Sequence, residues 1–397
     1  MVDDPLDRLV REALERNPML RKLRFDALGT KEQISQVSTL PDPMVSIALA
    51  NLPFDTRYTP MTGVQLGISQ LFPFFGKRKL RGDVVRGRYQ MARHRIDEAR
   101  NRLRAQVKMV YYQLLYLARV KTLIRKNQGV LGELVRFVTA KYSVGIGHQA
   151  DVFKARLAWA QVADDLIGLD ARQRVLIARL NALRGRPSGT ALSVSGALHL
   201  DRVSTSHSQW LQELEAHNPR LRTLESQAAS LRSAIALARR NYYPDFRVGV
   251  MYTFRTYNAL DSVKGADFIG LSLSFNLPIF AKAKLAPRVR ELEARLASNR
   301  AARVELKNEL DSRLRQLLIG LETKSKRVDL HRLVLIPQAK QAVLASRLGY
   351  QSNKVDFLTV LNNQLAVFKL EIALERLVAA HQAQRAALEW LVGREKR

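Results

Sequence analysis

Seven histidines, His94, His148, His199, His207, His217, His331 and His381, are the first side chains to weigh for chemistry, because imidazole is the commonest metal ligand. None stands four residues from another or beside an acidic cluster of ligand spacing, so no metal site is expected. The chain has no cysteine, which removes disulfides, thiolate metal sites, a cysteine nucleophile and, in this form of the chain, a lipidated N-terminal cysteine. No glycine-rich phosphate loop, Ser/His/Asp set or paired-carboxylate motif stands out, and neither an enzyme nor a cofactor is expected. What does stand out is "GISQLFPFFGKRKLRG", residues 67–82: uncharged and alternating up to Phe75, densely basic after Gly76. Such a junction is able to hold anionic groups beside an apolar surface.

Lys and Arg number 65 against 36 Asp and Glu, a formal net charge of +29 over 397 residues of which 47% are apolar. Phosphate backbones attract such charge. Here, however, the basic residues spread along the whole chain, with no zinc-finger spacing, RNP-type aromatic motif or recognition-helix unit, so no nucleic-acid partner is expected. A diffuse excess suits anionic lipid headgroups or an acidic medium. The start, "MVDDPLDRLV", lacks a basic segment followed by an apolar one, so either the protein is not secreted or its leader was removed and Met1 added to the mature chain. With no run of about 18 strongly apolar residues, no transmembrane helix is expected; a transmembrane β-barrel stays open, since its strands are short.

The chain repeats itself. Asn17-Pro18-Met19-Leu20 recurs as Asn218-Pro219-Arg220-Leu221, an offset of 201; Pro41-Asp42 as Pro244-Asp245, at 203; Phe72-Pro73 with Gly76-Lys77 as Leu277-Pro278 with Ala281-Lys282, at 205. Tyr142-Ser143-Val144-Gly145 recurs as Tyr350-Gln351-Ser352-Asn353, and the segment ending at Gly185 as that ending at Gly393, both at 208. The order is kept while the offset drifts by seven residues. This predicts a first repeat over 1–184, a Gly/Ser/Thr-rich linker over 185–208, a second repeat over 209–393 and a tail, 394–397.

Each repeat reads as a helix of about 30 residues, two β segments and two long helices. The strands are expected at 44–52, 63–72, 246–254 and 268–277. Their period is two: Val64, Leu66 and Ile68 alternate with Gln65, Gly67 and Ser69, and Phe246, Val248, Val250, Tyr252 and Phe254 with Arg247, Gly249, Met251 and Thr253. About ten residues suffice for a tilted strand to cross hydrocarbon, although an ordinary hairpin covered by its own helices has the same pattern. Long helices are expected at 77–142, 149–184, 283–348 and 355–392. In the first, Tyr89, Ala92, Ile96, Ala99, Leu103, Val107, Val110, Leu114 and Leu117 step by threes and fours. Sixty-odd helical residues span on the order of 100 Å, too long to fold back over so short a sheet.

On the lipid reading, Phe72, Phe74 and Phe75 sit at a membrane interface, Pro73 ends strand pairing, and Lys77, Arg78, Lys79 and Arg81, with Arg86 and Arg88 beyond, form a collar where the chain enters water. The alternative for this cluster is a solvated helix start.

"ERNPMLRKL", "LPDPMVSIAL", "QLFPFFGKRKLR" and "KYSVGIGHQADVFKAR", with "HNPRL", "NYYPDF", "NLPIFAKAK" and "GYQSNKVDFLTVLNNQ" in the second copy, carry a resemblance to the TolC-like outer membrane efflux protein family over essentially the whole chain. The Phe-Pro-Phe-x-Gly-Lys form looks most like the branch serving heavy-metal exporters, copper/silver or cobalt/zinc/cadmium. The resemblance implies a mainly α fold with a small β part: a homotrimer whose protomers each give four strands to one 12-strand outer membrane β-barrel, continued by a helical periplasmic tunnel. It implies a passive conduit with no catalysis, joined through a periplasmic adaptor to an inner-membrane transporter of the RND type, and embedded in outer membrane lipid.

The same resemblance places the periplasmic tip at the turns around Gly145, Gly147 and Asn353, where the asparagine replaces a family glycine and tolerates a left-handed conformation. Asp151 and Tyr350 fall on family positions that link helix pairs and hold the tip closed; Asp151 is equally suited to capping the helix that starts near it. Two family carboxylates become Thr359 and Asn362 here, which puts the usual acidic ring in doubt and leaves Asp356 as the nearest acid, either a substitute ring or a solvated side chain. Rival readings of the whole chain are a soluble coiled-coil scaffold and a basic helical nucleic-acid-binding protein.

Overall fold

The computed structural model describes residues 5–51, 63–194, 196–203, 206–255, 257, 262 and 264–393. Leu52 of the expected first strand, part of the linker and the expected tail lie outside the described residues. In order the elements are α1 (Pro5–Arg16), α2 (Pro18–Ser38), β1 (Met44–Ala50), β2 (Gly63–Phe72), α3 (Lys77–Ser143), α4 (Gln149–Leu183), α5 (His207–His217), α6 (Pro219–Arg240), β3 (Phe246–Arg255), β4 (Phe268–Phe275), α7 (Ala281–Leu330), a π-helical turn (His331–Leu335), α8 (Ile336–Gln351) and α9 (Phe357–Val392).

The single N-terminal helix expected in each repeat is two helices, and the Asn-Pro pair is the reason. Proline has no N–H and is tolerated at a helix's first position, while asparagine is a strong N-cap. Asn17 Oδ1 accepts from the N–H groups of Met19 (3.0 Å) and Leu20 (3.3 Å), and its Nδ2 donates to the Leu183 carbonyl at the end of α4 (2.9 Å). Asn218 repeats the device: Oδ1 accepts from Arg220 N–H (2.9 Å) and Nδ2 donates to the Leu391 carbonyl of α9 (2.7 Å). Each asparagine caps one helix start and satisfies a carbonyl left over at another helix's end. Gly185 and Gly393, at φ 66° and 85°, end those helices where a Cβ would strike the carbonyl of Arg16 at 2.8 Å and of His217 at 2.7 Å.

The expected helix over 283–348 is also interrupted. Pro337 lacks the N–H that would continue the ladder, and the chain widens into the π turn at His331–Leu335 before α8 resumes. Among the described residues α9 is long and apolar enough, by length and composition alone, to cross a membrane. Its Phe357, Val360, Leu361 and Phe368 are instead buried with residues of α3 and α4.

The chain forms two compact units, and each draws on both repeats. The first comprises 1–23, 95–220 and 306–397; its cores gather Leu131, Val138 and Ala155 around Phe357, and Leu20, Leu103 and Val107 around Leu180. The second comprises 24–94 and 221–305 and contains a four-stranded antiparallel sheet in the order β1-β2-β3-β4. There Ile235 and Ala238 of α6 pack on Leu292 of α7.

Replacing Asn17 by alanine removes a cap and strands the Leu183 carbonyl. The expected loss is about 1–2 kcal/mol of stability in chemical unfolding, with Asn218→Ala costing the same.

Candidate functional site

In the second unit, the strand pattern produces a sheet with two unlike faces. Register sets Ile47 beside Leu66, Tyr252 and Ile269, and Val45 beside Ile68, Val250 and Leu271, so branched and aromatic side chains run in rows across all four strands. The other face carries Ser46, Gly67, Met251 and Gly270 in one row and Met44, Ser69, Gly249 and Ser272 in the next. Water would normally meet the polar face. Here the apolar side chains stand open, Ile47 74% exposed, Ile269 72% and Leu271 83%, as do Ser46 and Ser272 on the other face. β1 and β4 are the sheet's outer strands, each paired along one side only.

Where β2 hands over to α3, the expected basic collar divides. Arg78 and Lys79 are exposed and Arg81 half-buried, but Lys77 is buried, and this corrects its place among headgroup-facing residues. Its Nζ donates to Asp245 Oδ1 (2.7 Å) and to the Tyr243 carbonyl (2.8 Å). Asp245 Oδ1 also accepts from Phe74 N–H (2.7 Å), and Phe74 stacks on Tyr243 with ring centroids 4.6 Å apart. A desolvated ammonium is tolerable only with such a partner, so the residue acts as an internal bolt between the β2–α3 and α6–β3 junctions. Phe75 is 77% exposed and Phe72 partly so.

In the first unit, α3 and α8 end in matching turns. Gly145 at φ 77° and Asn353 at φ 57° adopt the left-handed conformation. The Gly145 and Ile146 N–H groups donate to the carbonyls of Tyr142 and Lys141 (both 3.0 Å), while those of Asn353 and Lys354 donate to Tyr350 (3.2 Å) and Gly349 (2.8 Å). Both are Schellman closures. Gly147 lies where a Cβ would meet the Tyr142 nitrogen at 3.0 Å.

Tyr350 is buried between Phe137 and Phe357, each 5.8 Å away between ring centroids. Burial pushes its phenol above the ordinary value, and the charge of Asp151 adds to the shift. The residue that sequence reasoning missed is Lys141. Its Nζ lies 4.4 Å from the Tyr350 ring centroid and donates to the Tyr350 carbonyl (3.2 Å) and Asn353 Oδ1 (3.0 Å), tying the end of α3 to the turn after α8. One signal could have found it: at the offset of 208, Lys141 faces Gly349, so the repeats differ in charge at the turn.

Asp151 does not cap α4: His148 holds that position without a side-chain bond, and Asp151 lies half-buried in the first turn. Asp356 caps α9, accepting from the Thr359 N–H (3.2 Å) and hydroxyl, which hold its carboxyl below the usual range. Thr359 and Asn362 are exposed on α9. Among the described residues no three His, Asp or Glu side chains gather to hold a metal ion.

Residues 9–186 match the family model described as outer membrane efflux protein. The chain is 23% identical over 348 residues to the cobalt-zinc-cadmium resistance protein CzcC of Cupriavidus metallidurans, covering 87% of this chain and 79% of that protein. Its fold is similar to that of CusC crystal structures, with a TM-score of 0.84 at 16% identity, covering 99% of this chain and 93% of the other. It is similar again to the outer membrane protein VceC of Vibrio cholerae, with a TM-score of 0.80 at 18% identity, covering 98% and 96%.

Two outcomes are expected at the tip. Lys141→Met removes two hydrogen bonds and the ring contact, and should cost about 1–3 kcal/mol of local stability, read as faster amide exchange over 349–355. A phenol raised in the folded chain lends stability that is complete below its ordinary value of 10.0 and is lost as pH climbs through the raised one. Exchange at the same amides should therefore rise above that pH, and Tyr350→Phe should abolish the alkaline step.

Proposed function

We propose that this chain, whose residues 9–186 match the family model described as outer membrane efflux protein, is a member of that family and the outer-membrane channel of a tripartite exporter of heavy-metal cations. The observation that carries the reading is the sheet: four strands of seven to ten residues, an uncovered apolar face, a small and polar opposite face, and two open edges. Lipid satisfies the apolar face, and neighbouring copies satisfy the edges. Three copies of a four-stranded sheet make a barrel of twelve strands, in which Ser46, Gly67, Gly249 and Ser272 face the lumen.

The two repeats then have one role each per protomer, two strands for the barrel and two long helices for a periplasmic tunnel, with the linker 185–208 between them. A soluble scaffold would need helices over the apolar face of the sheet, and that face is open. The likeness to a cobalt-zinc-cadmium resistance protein supports the choice of cargo. Metal ions pass as cargo, without a dedicated cage. The tip residues Asp151, Tyr350, Asp356, Thr359 and Asn362, with the turns at Gly145, Gly147 and Asn353, form the periplasmic gate, to which Lys141 is added. Exposed Val144 and Ile146 beside these turns offer apolar contact to a periplasmic adaptor, through which an RND-type transporter of the inner membrane delivers substrate. Phe72, Phe75, Arg78, Lys79 and Arg81 meet the interface and its anionic headgroups.

Deleting the gene should sensitise cells to copper, silver, zinc, cobalt or cadmium salts more than to organic drugs; sensitivity to drugs with none to the metal salts would overturn the cargo. The lipid face has its own test in Leu271→Arg. An exposed leucine in water tolerates arginine within about 0.5 kcal/mol, whereas on a bilayer-facing strand the change costs about 2–4 kcal/mol, read as loss of assembled channel from outer membranes.

A further inference from the structure

The Lys77–Asp245 bolt has a twin that is empty within the chain. At the repeat offsets, Lys77 corresponds to Lys282 and Asp245 to Asp42. Lys77 follows β2, Asp245 precedes β3, and those strands pair. Lys282 follows β4 and Asp42 precedes β1, the two outer strands, and both side chains are exposed. We propose that Asp42 and Lys282 form the same bolt between chains, Lys282 of one copy with Asp42 of the next, and that it sets the register in which β4 pairs with the neighbour's β1.

This deepens the channel reading and rests on it. Three observations fit the neighbour as occupant. Opposite charges stand at the two outer strands, in the positions equivalent by repeat offset to those where the chain buries an ion pair. The Asp245 backbone bonds to the β4 side, its N–H donating to Asn276 Oδ1 (2.6 Å), while its carboxylate reaches the β2 side; on the same plan Pro41, held by Gln70 of β2 at 2.7 Å, leaves the Asp42 carboxylate toward the neighbour. Third, the parity is right. Phe72 pairs with Phe246 and Ser69 with Gly249 in the template. Carried over by the offsets, Phe275 meets Val45, Leu273 meets Ile47 and Leu271 meets Leu49 across the joint, apolar against apolar, while Ser274 meets Ser46 on the polar face. Ile279, 76% exposed, takes the place of Phe74 and covers Leu40 of the next copy, as Phe74 covers Tyr243.

The test uses the full chain purified in detergent. Asp42→Lys and Lys282→Asp should each lose most of the trimer at a temperature the parent survives, and the double reversal should restore it. Because the chain has no cysteine, Ser46→Cys with Ser274→Cys should give a reducible covalent trimer on oxidation, whereas Ser46→Cys with Gly270→Cys, four residues off register, should not. Single reversals without effect, a double no better than the singles, or cross-linking in the shifted pair would overturn the joint while leaving a trimeric channel standing. A monomeric parent would overturn the channel reading itself.

Discussion

In the channel proposed for this chain the β1–β4 sheet lies in hydrocarbon, where a backbone N–H or C=O without a partner costs several kcal/mol, and its two open edges become the constraint on which the rest of that reading depends. A single chain supplies four strands and so has edges; a closed cylinder has none. The apolar rows Val45–Ile68–Val250–Leu271 and Ile47–Leu66–Tyr252–Ile269 impose the second half of the constraint, because nothing aqueous rewards placing them outside. Glycine and serine on the other face leave room for a lumen.

Given that sheet, the chain must pass from strand to helix within a few residues, and the polar groups buried at the junction need partners. Lys77 and Asp245 answer this by pairing with each other while Asp245 also takes the Phe74 N–H. The same economy recurs at the helix ends of the first unit. Asn17 and Asn218 each close one helix start and one helix end, and Gly145 and Asn353 turn the chain by Schellman closures. The asparagine caps and the left-handed turns recur in both halves of the chain, with changes at a few positions. Lys141 against Gly349 is one: the lysine holds Tyr350 and Asn353, a task its counterpart has no side chain to perform.

Much of this was legible in the residues. The repeat, the period-two segments and the uninterrupted step of three and four after Gly76 are local patterns, and local geometry follows from them because backbone period decides which side chains share a face. Two things misled. Asn17-Pro18 sits inside a helical pattern and was read through, although proline at a first helical position with asparagine before it is a start signal. Lys77 looked like its exposed neighbours Arg78 and Lys79, since a lysine's burial depends on a carboxylate 168 residues away.

The alternation of each strand and the duplicated landmarks are thus properties of neighbouring residues, and the amino-acid order was enough to establish them. Pairing of β2 with β3, the burial of Lys77 against Asp245, the grip of Lys141 on Tyr350 and the capping of α9 by Asp356 were decided only by the folded chain. The physical reason is that hydrogen bonds and ion pairs act over a few ångströms in space. Only folding brings residues so far apart in the chain within that reach.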